Sequence, residues 1–162
     1  MSKAFFSRKL VVAALSVSVV AAPLSPAYAI LDKTRFVAHM GVAYYAFHHF
    51  VWNPYTQGRF AKEAGGKLGG VAKAGLAMLF AVHELKVAEK IAHNSHDPLL
   101  QKLDAGVGRL TGSFASVGQG LKSGTLDPST LEGLNSDVSS VGQTSAAGGH
   151  PINDVPIHVP GL

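Results

Sequence analysis

Residues 97–124, DPLLQKLDAGVGRLTGSFASVGQGLKSG, decide the fold of this chain. After the start signal Asp97-Pro98, the residues Leu100, Leu103, Val107, Leu110, Phe114, Val117 and Leu121 recur at alternating steps of three and four. That rhythm is a heptad seam, and it predicts a helix with one apolar edge pressed along its neighbours. Lys122-Ser123-Gly124 ends it, and Asp127-Pro128 opens another helix by the same device. There Leu131, Leu134, Val138 and Val141 continue the rhythm. Both segments are otherwise rich in Gly, Ser and Thr, so each depends on its neighbours for stability.

Upstream, a helix is expected over about Leu68 to His93, with Val71, Gly75, Met78, Val82, Leu85 and Ala92 on one stripe. Its first half is apolar nearly all round, which predicts a central, heavily buried position. Gly66, Gly70 and Ala74 at four-residue steps would admit a neighbouring backbone, whereas Lys73, His83 and Glu84 make the segment a poor membrane span. Before it, Asp32 can cap a helix running to about Trp52, in which Phe36, Met40, Ala43, Phe47 and Phe50 share one face. Asn53-Pro54 is expected to stop that helix and to start a short connecting one ending near Ala64.

The N-terminus carries Lys3, Arg8 and Lys9, then an apolar run of 13 residues, Leu10 to Ala22, then Pro23, Pro26 and Ala27-Tyr28-Ala29. These are the parts of a secretory signal peptide, residues 1–29, and the run is shorter than the roughly 20 residues a spanning helix needs. Cleavage would leave Ile30 first in a protein secreted to the cell envelope or beyond it, into a periplasm where an outer membrane is present. The expected fold is all-α, an up-and-down antiparallel helical bundle of about four helices plus a short connecting helix over residues 30–142. Residues 143–162, with Pro151, Pro156 and Pro160, are expected to form a flexible tail, whose Ile152, Val155, Ile157 and Val159 could dock on the bundle or a partner.

Composition narrows the function. Of 14 Lys and Arg, three fall in residues 1–29, leaving 11 against 10 Asp and Glu, a formal charge of +1. No basic patch of the kind that tracks a phosphate backbone remains, so nucleic acid is not an expected partner. With no Cys, the chain has no disulfide, thiolate metal site or lipobox cysteine.

The eight histidines are the residues that invite a chemical reading. His39 and His83 fall at similar heights if the first two long helices form a hairpin, and Glu84 adjoins His83. Such a set suits a haem iron or a divalent metal, and core-edge histidines bonded to carbonyls or water are the plainer alternative. His93 and His96, beside Asp97, form a second candidate metal group, although a helix C-terminus by itself favours His there. His48 and His49 with Trp52 and Tyr55 make a polar-aromatic third.

Known catalytic patterns are missing. Val87 stands where the second ligand of a His-Glu metalloprotease motif would be, Glu89 and His93 are one residue too far apart for a di-iron site, and no nucleophile elbow occurs. The expectation is a protein that is not an enzyme and has no obligatory cofactor, acting by binding or assembly on an envelope or extracellular partner, with self-association open to it. A histidine-dependent metal or haem carrier is the first alternative. The second is a lipid-contacting or apolar-ligand-binding protein, suggested by Tyr44, Tyr45 and Trp52.

Overall fold

The structure is a computed structural model that describes residues 26–60, 67–159 and 162. Among the described residues the chain is all-α, without a strand. Its helices are α1 (Pro26–Phe47), α2 (Asn53–Thr56), α3 (Lys67–Asn94), α4 (Pro98–Ser123) and α5 (Pro128–Ala147). α1 packs on α3, α3 on α4 and α4 on α5. Each long helix runs antiparallel to the next: His39 meets Glu84 where Lys33 meets Asp97, and Ser113 meets Asp137 where Gly148 abuts Leu99. Tyr44 joins the first helix to the last by donating to the Val138 carbonyl at 2.8 Å. No helix among the described residues is long and apolar enough to cross a membrane.

Of the segment expected as a signal peptide, residues 1–25 lie outside the described residues, while residues 26–29 form the first turn of α1. The expected cleavage after Ala29 therefore falls inside α1.

Every member of the α4 seam, from Leu100 to Leu121, is buried, as are Leu131, Leu134, Val138 and Val141 on α5. From α1 the core receives Phe36, Met40, Ala43 and Phe47; the Phe47 and Phe114 rings meet at 5.5 Å between centroids. Between α1 and α4 lies α3, whose buried contribution is largely alanine: Ala74, Ala77, Ala81, Ala88 and Ala92. Its central place matches the expectation, but burial all round does not follow, because Ala72, Leu76 and Leu79 face solvent. A helix with a neighbour on two sides keeps an outer face. Gly66 of the small-residue ladder lies outside the described residues.

The expected stop at Asn53-Pro54 becomes a widened turn. In an α-helix Pro54 would crowd the Phe50 carbonyl and offer it no N–H. Instead the chain forms one π-helical turn, His48–Trp52, in which the Asn53 N–H reaches back to the His48 carbonyl. Trp52 keeps helical angles, φ −66° and ψ −52°, so the rod continues into α2. The wider turn takes Phe50 off the core face and puts Val51 there, fully buried. α2 ends at Thr56 and turns lead to Phe60; the rest of the short helix expected to reach Ala64 lies outside the described residues.

The expected boundary at Gly142 also shifts. α5 continues to Ala147, and Gly142 lies within it in contact range of the Tyr44 ring instead of ending the helix. The segment expected as a flexible tail thus begins with a helical turn, and the described residues after it are tied down as far as Val159. Ser145 donates to the His150 carbonyl at 2.5 Å, the Val155 N–H to the Gly41 carbonyl at 3.0 Å, and Val159 is buried. Gly41 permits this: any Cβ there would collide with the Asn153 carbonyl oxygen and the Val155 side chain.

The helix starts are secured as their sequences predict. Asp97 accepts from the Leu99 and Leu100 N–H groups, and Asp127 from that of Ser129. Gly124, at φ +71°, closes α4 in the left-handed conformation. Burial opposes ionisation of Asp97, but Lys33 at 3.0 Å and the two backbone donors outweigh it and hold the carboxyl below its ordinary 3.8.

Replacing Leu110, fully buried in the seam, by Ala is expected to cost about 2–5 kcal/mol in denaturant unfolding. A group whose folded-state pKa is depressed contributes its stability above the unfolded pKa and loses it as pH falls through the folded value. The Lys33–Asp97 contribution is therefore expected to be complete above pH about 4 and to fade below it. Thermal melts should show Asp97→Asn less stable than the unaltered protein at neutral pH, with the gap narrowing in acid.

Candidate functional site

Three of the eight histidines, His39, His48 and His93, are ties between elements. His39 Nδ1 lies 2.6 Å from Glu84 and joins α1 to α3; His48 Nδ1 lies 2.9 Å from Asp154 and joins the π-helical turn to the tail. His93 Nδ1 lies 3.1 Å from Asp104 and joins α3 to α4. Facing an ionised carboxylate, which only accepts, each ring nitrogen donates.

The pairing of His39 with Glu84 separates His39 from His83. Adjacent helical residues point about 100° apart, so turning Glu84 toward α1 sends His83 aside. There it lines an open groove of about 570 Å³ with Asp32, Arg35, Lys86 and Lys90. His96 is exposed at the end of the hairpin. The five candidate ligands are thus distributed: His39 with Glu84, His93 with Asp104, and His83 and His96 on their own surfaces. No group of three or more His, Asp or Glu residues that could hold a metal ion occurs among the described residues.

The polar-aromatic group also divides. His49 stacks on Tyr45, 5.1 Å between ring centroids, while His48 turns to Asp154 and meets the edge of Tyr44. Burial and then the Asp154 charge push the Tyr44 hydroxyl well above the usual phenol range, so it stays protonated and donates to Val138. Each of these groups is engaged in holding one element to another. Among the described residues, no buried side-chain nitrogen or oxygen lacks a hydrogen-bond partner.

Apolar side chains stand exposed at the start of α1, as Tyr28, Ile30 and Leu31, and over a cavity on α3. Leu76 and Leu79 on α3 are 48% and 50% exposed. They border an open cavity of about 640 Å³ whose walls include Val71, Gly75, Leu121 and Lys122. A second cavity of about 420 Å³ shares Leu79, Lys122 and Ser123 with it and reaches Val82 and Phe114, so the two form one trough along the α3–α4 seam. Exposed apolar side chains beside a cavity make this trough the candidate for a ligand or partner surface. The stripe expected on α3 is offset from the buried alanine face: its Val71 and Val82 are only partly buried and line the trough, and it passes over Leu76 and Leu79. The readable sign was the stretch Val71 to Val82, more apolar than a single buried stripe requires. Lys122, part of the stop signal that ends α4, is also the charged residue of both walls.

Compared with protein-family models, with curated proteins and with solved structures, the chain finds no match.

Proposed function

We propose that this is an exported, non-enzymatic helical binding protein that takes up an apolar ligand in the trough between α3 and α4. The observation that carries the reading is the exposure of Leu76 and Leu79 above that trough, in a bundle whose inner stripes are otherwise buried. The trough falls in the size range of small-molecule sites, about 300–1,000 Å³, and such sites are lined mainly by apolar groups with few polar ones.

Export is supported by the composition of residues 1–29, and a role without catalysis by the employment of the paired histidines in tying elements together. The aromatic face once considered for lipid contact is largely spent on packing: Tyr44 is buried, and Trp52 packs near Phe47 and Tyr55. The trough replaces it as the apolar surface.

Nile red, an uncharged dye that brightens in apolar surroundings, provides the test. The folded protein is expected to bind it saturably, and the double substitution Leu76→Asp and Leu79→Asp to weaken binding at least about tenfold. Because both positions are half exposed, the melting temperature should change little. Binding that is absent, or indifferent to the double substitution, would overturn the proposal.

A further inference from the structure

Resting on that reading, we infer that the trough is shaped and charged for a single-chain amphiphile with a carboxylate head, such as a long-chain fatty acid, its head held by Lys122. Three observations converge.

The first is shape. The α3 wall runs from Val71 to Val82, and at a rise of 1.5 Å per residue that is a length of about 17 Å. The width is that of one seam between two packed helices, whose axes lie about 8–10 Å apart. Lys122 lies where the two cavities meet, so a chain whose head it holds runs from there along one arm, and a slot of this width has no room for two chains side by side.

The second is charge. Lys122 lines both cavities and is the charged residue of either wall; no Asp or Glu belongs to them. It makes no ion pair among the described residues, in contrast to Lys33. An apolar slot carrying one cation complements a single negative charge on an apolar chain.

The third is the posture of Lys122. Its Cγ lies 3.5 Å from where a Cβ on Gly75 would stand, so its stem rests across the seam against the α3 backbone. A lysine stem laid on apolar surface keeps its ammonium at the rim, where a headgroup would sit. Ser123, at the same rim, is already bonded to the Gly120 carbonyl and to Thr125, which leaves recognition of the head to the ammonium. A compact ammonium fits a carboxylate as a point charge, without the two-pronged geometry that an arginine would impose.

The experiment displaces Nile red from the full folded chain with dodecanoate and, separately, with 1-dodecanol, which has the same chain and no charge. Dodecanoate is expected to compete at least about tenfold more tightly than dodecanol. Lys122→Met, which keeps an apolar stem, is expected to abolish that preference while leaving dodecanol and the melting temperature unchanged. Equal competition by the two probes, or a preference that survives Lys122→Met, overturns the carboxylate assignment and leaves the apolar trough standing. If neither Nile red nor either probe binds, the trough reading itself falls. Sedimentation on the same samples covers the remaining occupant: a dimer that dissociates on Leu79→Asp and excludes both probes would assign the trough to a second copy and overturn the inference.

Discussion

The arrangement depends on how thin α3 is. Five buried alanines let α1 and α4 approach it from two sides, and the bulk of the core comes from those partners, as Phe36, Met40 and Phe47 on one side and the α4 seam on the other. Alanine gives up little dispersion energy of its own when buried, so the stability of this region lies in how closely its neighbours pack across it. The same economy has a second effect. With α1 and α4 occupying two sides of α3, Leu76 and Leu79 have no helix to pack against among the described residues, and the trough opens where they stand.

Polar ties supplement that packing at each junction. His39–Glu84, His93–Asp104 and Lys33–Asp97 bridge α1, α3 and the start of α4, and His48–Asp154 fixes the tail to the π-helical turn. Partly exposed pairs of this sort contribute modestly to stability, on the order of 1 kcal/mol or less each. Their value lies in register: a slip of one residue between α1 and α3 would remove Glu84 from His39 and bring the exposed His83 into its place. In a chain without cysteine, such pairs and the apolar seams hold together what disulfides hold in cysteine-rich small domains.

What could be read from the sequence was whatever repeats along one helix. The α4 seam, the two Asp-Pro starts and the all-α class follow from spacing and local capping chemistry, and α3 ends within a residue of expectation. What could not be read depended on contacts between distant segments. Pro54 looks like a stop until the π-helical turn relieves it, and Gly142 looks like an end until Tyr44 is seen beside it. Counting residues placed His39 and His83 at one height, and the height was nearly right; the side of the helix was not. The trough was not read because the stripe drawn on α3 was assigned wholly to the core, whereas Val71, Gly75 and Val82 from it line the trough and the buried face is the alanine one.

The account stands or falls on whether that uncovered face is where a ligand goes. Amide spectra of the isotopically labelled protein, recorded with increasing dodecanoate, read this residue by residue. Shifts concentrated at Val71 to Val82 and Phe114 to Gly124, with the π-helical turn and the tail unmoved, are what the account predicts. Shifts centred on His48 and Asp154, or on the Arg35, Lys86 and Lys90 groove, would contradict it.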